Sequence, residues 1–182
     1  MEEKKGRPRD YQFLNFDKPM TPALFADIFQ ELRARVEDQI EDLSVDELDH
    51  HFSEFRLSIR WLFLHLSWAE MNWLQRITGV EVPEDLRAFF NPGRLETYQD
   101  TRKSMEASPA SECLRQSRRM ADEYVVPIFG SSSIDFDAPV EGRPNFSYGR
   151  ICSHLIWHWT YHSGQIGLMR LLLEKDYSWS FK

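Results

Sequence analysis

The stretch ICSHLIWHWTYHSGQIGLM, residues 151–169, decides how the rest of the chain is read. His154, His158 and His162 stand four residues apart. On a helix such residues lie one above the other. Ile151, Leu155, Ile166 and Met169 share the stripe, so the histidine face turns inward. The segment reads as a long helix from about Ser147 to Lys175. An i,i+4 histidine pair is the simplest way for a helix to offer two imidazoles to one metal. His154 and His162 lie about 12 Å apart along the axis, too far for one ion. One adjacent pair therefore binds and the third histidine does something else. The competing reading is a row of core histidines, each nitrogen satisfied by a partner, since an unsatisfied buried imidazole is costly.

Working upstream, a second long helix runs from about Phe55 to Thr78 and stops at Gly79, a suitable C′ residue. It is apolar on most of its circumference, from Leu57 and Ile59 through Trp61 and Leu66 to Leu74 and Ile77. Such a helix belongs at the centre of a bundle or at an oligomer interface. It carries His65, on a stripe with Trp61 and Trp68. The two long helices cover each other, which makes His65 the candidate third ligand, although alone it reads as a core histidine. Two imidazoles from one helix and one from a facing helix give a facial three-nitrogen site. Its neutral ligands leave Zn²⁺ or Ni²⁺ open positions and full charge for polarising water or a thiol.

The remaining segments complete a four-helix bundle of the all-α class. A first helix opens at Thr21 and Pro22, with Phe25, Ile28, Phe29, Leu32, Val36 and Ile40 as its apolar stripe. The acidic stretch after it (Glu41, Asp42, Asp46, Glu47, Asp49) reads as a solvated connection, with His50 and His51 on the surface. Residues 80–107 are less regular, with a short helix from about Pro83 to Phe90 and a turn at Asn91-Pro92-Gly93. A third helix runs from about Ser108 to Val125 and is closed by Pro127. Residues 127–146 read as a long loop before the last helix, one that either covers the site or extends an interface. No stretch shows strand alternation. Residues 1–17 read as a polar arm and 18–182 as one domain.

Composition bounds the function. The chain has 182 residues, 42% hydrophobic and 28% charged, enough for one domain with a real core. Its 22 basic and 29 acidic residues give −7, which argues against nucleic-acid binding. No apolar run approaches the roughly 20 residues of a membrane span. Two cysteines, Cys113 and Cys152, form no disulfide framework or CxxC motif, and a reducing cytoplasm is the expected location.

The segment HWTYHSGQI, residues 158–166, resembles the HxxxHxGQ[IL] signature of the DinB/YfiT-like superfamily. SIRWLFLHLSWAEMNW, residues 58–73, is similar to that family's HLxxxExxW segment. The resemblance covers most of the chain from about 20 to 175. It implies a DinB-like four-helix bundle with a divalent metal, usually zinc or nickel, on His65, His158 and His162. His154 matches a position before the ligand pair where members often carry a histidine that is not a ligand. Tyr161 stands where many members have another histidine. Gln165, three residues past His162, would orient that ring, or else serve helix packing, with Gly164 and Gly167 allowing a neighbour close. Glu70 would tie helices together or orient a ligand. Trp61, Trp68 and Tyr161 are candidate pocket residues.

Characterised members include thiol transferases and isomerases that use low-molecular-weight thiols such as bacillithiol or mycothiol. The resemblance therefore implies a metal-dependent thiol S-transferase acting on small electrophiles. The alternatives are a hydrolase that activates water at the metal and a non-catalytic, metal-stabilised stress-response bundle. Members are often homodimers, and the apolar excess on the second helix permits that.

Overall fold

The computed structural model describes residues 21–51, 57–94, 108–130 and 134–175. The expected polar arm lies outside them. Helix α1 is Pro22–Ile40 and α2 is the single turn Val45–Leu48. Helix α3 is Ile59–Thr78, α4 is Glu84–Phe90, and a 3₁₀ turn follows at Asn91–Gly93. Helix α5, Ala110–Met120, passes through a π-helical stretch at Ala121–Val125 into α6, Val126–Gly130. Strands β1 (Pro139–Val140) and β2 (Arg143–Ser147) form an antiparallel hairpin, and α7 is Tyr148–Leu172. The all-α bundle is thus built from α1, α3, α5 with α6, and α7. None of its helices is long and apolar enough to cross a membrane.

Local chemistry sets the boundaries. Thr21 caps α1 by accepting from the Leu24 amide, with Pro22 in the first turn. Ser58 caps α3 through the Trp61 amide, so α3 begins at Ile59 and not near Phe55. Gly79 ends α3 with φ 69°, the left-handed conformation glycine adopts without strain. Ser147 caps α7. That helix ends at Leu172, short of Lys175, because Glu174 turns to φ 59° and the Lys175 amide bonds back to the Arg170 carbonyl.

Two expectations for the region after α5 are corrected. Pro127 does not close the helix. Proline removes one amide donor and crowds the carbonyl a turn earlier; the π stretch directly upstream widens the ladder at that place, and helical structure continues to Gly130. The segment read as loop also contains the hairpin. Its strands are too short to show alternation, and Gly142 supplies the positive φ of the turn, 71°. Arg143 of β2 lies over the Trp73 ring at 5.4 Å. Trp73 is about 12 Å along α3 from His65, so this contact lies well away from the histidines.

The acidic connection is also corrected. It is not simply solvated. Asp49 pairs with Arg60 at 2.6 Å, and Asp42 pairs with Arg170 at 2.6 Å. Both arginines are nearly fully buried. A buried guanidinium needs a counter-charge, so this stretch is acidic because it neutralises two arginines of α3 and α7. Arg170 in turn holds the Asp42 carboxyl below its ordinary range.

The core is continuous. Phe25, Phe29, Val36 and Ile40 of α1 meet Ile59, Phe63, Leu66 and Leu74 of α3 and Ile151, Leu155, Trp159 and Ile166 of α7. The apolar circumference of α3 is consumed inside the protomer. None of the exposed large hydrophobic residues described lies on it. The uncovered apolar side chains are concentrated on α7.

Candidate metal centre

Helices α3 and α7 pack with His65 facing His158 and His162. The His158 Nε2 lies 3.2 Å from the His65 Nε2 and 3.2 Å from the His162 Nε2. The three candidate ligand atoms all lie within 4.8 Å of one another. The rings meet nearly edge to face, with interplanar angles of 66° to 89°. All three are partly buried.

The far side of two rings determines their tautomer. The His65 Nδ1–H donates to the Gly93 carbonyl at 2.7 Å. The His162 Nδ1–H donates to the Gln165 Oε1 at 2.5 Å. Each ring therefore turns a bare Nε2 lone pair toward the centre. The His158 Nδ1 is buried with no hydrogen-bond partner. An N–H on the His158 Nε2 can satisfy one facing lone pair and not both. An N–H on its Nδ1 leaves three lone pairs facing one another. A cation at the centre accepts all three. Two Zn–N bonds of about 2.0–2.1 Å, at angles between 90° and tetrahedral, put their nitrogens roughly 2.9–3.4 Å apart. The two 3.2 Å spacings made by His158 fit that range, and all three atoms lie within 4.8 Å of one another.

Electrostatics agree with this reading. Burial, with the neighbouring histidines, lowers His158 to about 3. Burial lowers His162 to about 4, against the raising effect of its bond to Gln165. Both rings are thus neutral near pH 7, the form that ligates metal.

The other candidate residues are placed as follows. Trp61 stacks on the His65 ring at 4.7 Å and 9°, and Trp68 flanks it at 6.2 Å. Trp61 is almost wholly buried, so it packs against the His65 ring and does not line an open pocket. Tyr161 is half exposed, and its hydroxyl accepts from the Gln165 amide at 3.4 Å. Gln165 thus links the two side chains next to the site. His154 is exposed and its ring lies 5.9 Å from His158, outside the converging set.

Glu70 is fully buried and turns to α1, where its Oε2 accepts from Arg33 at 2.6 Å. Arg33 also donates to Ser117, and Ser117 to Glu37, so Glu70 belongs to a polar network joining α1, α3 and α5. Burial raises its pKa, opposed by Arg33. Cys113 and Cys152 are free and buried, and burial pushes the Cys152 thiol up to about 12.

Gly93 escaped sequence reasoning. A Cβ there would lie 2.4 Å from the Leu64 carbonyl carbon and 2.5 Å from the His65 amide nitrogen. Only glycine lets the 3₁₀ turn press against α3 so that its carbonyl reaches the His65 ring. The Asn-Pro-Gly triplet signals a turn, but nothing local says which helix it touches.

The fold and the site define a class: a helical bundle with a three-histidine centre between two of its helices. A family model of the DinB superfamily matches residues 28–166, a span that holds all three histidines. This chain belongs to the DinB superfamily. Comparison with curated proteins and with solved structures returns no match.

Proposed function

We propose that this protein is a divalent-metal-dependent thiol S-transferase, joining the sulfur of a low-molecular-weight thiol to an electrophilic carbon of a small molecule. The observation that carries the reading is the convergence of the His65, His158 and His162 ring nitrogens, with His158 3.2 Å from each of the other two and no carboxylate in the cluster. Zinc and nickel both suit an all-imidazole site. A divalent cation there would supply one thing, a lower pKa for a thiol or water at its open positions.

The chain's own residues do the rest. His65, His158 and His162 donate without adding negative charge. Gly93 and Gln165 hold two of the rings in the ligating tautomer. Trp61 and Trp68 flank the His65 ring. In the balanced step the thiol releases its proton to solvent. Its sulfur pair then forms the new C–S bond, and the leaving group departs with the bonding pair. The protein thiols are buried, and the raised pKa of Cys152 keeps it protonated, so the sulfur comes from a co-substrate. A reducing cytoplasm would keep that co-substrate reduced.

A hydrolase would need a general base. Glu70, the carboxylate nearest the ligand in sequence, is committed to Arg33, which favours the transferase.

The test is metal content per chain by plasma mass spectrometry on untagged protein, beside His158→Ala, followed by a screen of bacillithiol, mycothiol and common thiols against a bimane electrophile. The expected result is near-stoichiometric zinc or nickel, lost in the variant, with metal-dependent conjugate formation. Ester or amide hydrolysis without conjugation would move the reading to the hydrolase. Chelation that lowers Tm, with no turnover of any kind, would make the protein a non-catalytic bundle.

A further inference from the structure

Most arginines of this protein are neutralised in place. Every arginine of α1 and α5, and the buried Arg60 and Arg170, holds a carboxylate. One end of the bundle departs from this. Arg76, in the last turn of α3, and Arg143, at the start of β2, are exposed and make no ion pair among the described residues. Each guanidinium lies over the Trp73 ring instead, at 5.3 Å and 5.4 Å from its centroid. Arg150, in the first turn of α7, lies over Phe146 at 5.0 Å and donates to the Asn145 carbonyl.

Stacking on an aromatic ring covers one face of a guanidinium and leaves its N–H fork free at the edge. That fork matches the paired oxygens of a carboxylate or phosphate. Trp73 holds two such forks, one from a helix and one from the hairpin. Two like charges on one ring repel each other, and an anion between them relieves the repulsion. The chain has acids in excess, with a net charge of −7. None pairs with these two arginines among the described residues, not even Glu141, two residues from Arg143.

The pair lies along the face of α3 that carries His65. Helix α7 runs antiparallel to α3, since His158 meets His65 while Arg143, just before α7, meets Trp73 further along α3. Arg76 is three turns beyond His65, roughly 16 Å, and returns to within about 20° of the same face. Trp68 and Asn72 lie between them on that face, both partly exposed. On α7, His154 and Arg150 continue the stripe of His158 toward the same end. No carboxylate of either helix interrupts this path. Glu70 is the one acid of α3 and is bonded to Arg33, and α7 has none.

We propose that Arg76 and Arg143, stacked on Trp73, form a subsite for the oxyanion of the small molecule handled at the metal centre. That molecule is elongated, with its reacting end at the histidines and a carboxylate or phosphate at the arginines. Only the reacting end rests on the proposed function. A long polyanion is the poorer ligand, because the net negative charge of the chain repels it.

The subsite is tested without metal or turnover. Glutarate, inorganic phosphate and uncharged glutaramide are titrated into the metal-free, ¹⁵N-labelled full chain, and the Trp73 indole N–H resonance is followed. The expected result is a saturable shift with both anions at low salt, weaker as salt rises, and none with glutaramide. Arg76→Gln and Arg143→Gln should each weaken binding about tenfold, with unchanged circular dichroism. Arg115→Gln, at an ion-paired arginine of α5, should leave it as it is. An absent shift, an equal response to glutaramide, or binding indifferent to both variants would overturn the proposal.

Calorimetry on the zinc-loaded chain then finds which substrate carries the charge. Glutathione against its diethyl ester probes the thiol, and 4-chloro-3-nitrobenzoate against its amide probes the electrophile. Tighter binding of the charged member of either pair, lost in the double arginine variant, assigns the subsite to that substrate. If charge matters in neither pair, the arginines do not serve the metal centre and the proposal fails. A chain that takes up no zinc defeats the proposed function, and the first titration still decides the subsite.

Discussion

The Gly93 carbonyl accepts the Nδ1–H of His65 at 2.7 Å across 28 residues of chain. This bond turns the His65 Nε2 lone pair toward His158. It exists because the turn at Asn91–Gly93 lies directly on the backbone of Leu64 and His65, with no room for a side chain.

Gly93→Ala is therefore expected to act at a distance from the ligands. The added methyl meets backbone atoms, which cannot rotate away. Overpacking of this kind costs about 1–3 kcal/mol. Thermal unfolding should show a lowered Tm, and a chelator competition should show weakened metal binding with all three histidines intact.

Gln165 offers a cleaner test of ligand orientation. Gln165→Ala removes the acceptor from His162 and leaves the fold alone, since the side chain is only partly buried. Loss of such an outer partner typically weakens metal affinity about 10–100-fold. Gln165→Glu retains an oxygen acceptor and should restore most of the affinity in the same titration.

The Arg33–Glu70 pair should separate structure from chemistry. Arg33→Met alone leaves a buried carboxylate without its partner, at a cost of about 3–5 kcal/mol. The double change Arg33→Met with Glu70→Leu should recover much of that loss in urea denaturation. Metal stoichiometry in the double variant should match the parent, because Glu70 bonds to α1 and not to the histidines.

Acid should destabilise the metal-free protein through the same histidines. His158 and His162 fall from an ordinary 6.5 to about 3 and about 4 on folding. Between those values and 6.5 the unfolded chain binds more protons than the folded one, so stability falls as pH falls. The contribution is fully present above about pH 6.5 and is lost progressively toward pH 4 and below. Tm measured against pH on chelator-treated protein should drop through this window, and His158→Ala with His162→Ala should flatten the drop.

The sequence by itself determined the long helices and the histidines on them. Periodicity is local: residues four apart share a face whatever surrounds the helix. That is why the spacing of His158 and His162, the position of Gln165 three residues on, the cap at Thr21 and the stop at Gly79 were all legible. Only the tertiary structure decided what each face meets. The carbonyl that aims His65 comes from a turn that local pattern cannot dock. Asp42 and Asp49 read as solvated until Arg170 and Arg60 were seen buried beside them. The apolar face of α3 and the exposed apolar side chains of α7 look alike as sequence, since both are hydrophobic helix positions. The rotation of each helix in the bundle buried the first and left the second in water. That rotation depends on how several helices fill a common core at once, a property of the packed chain and not of any one segment.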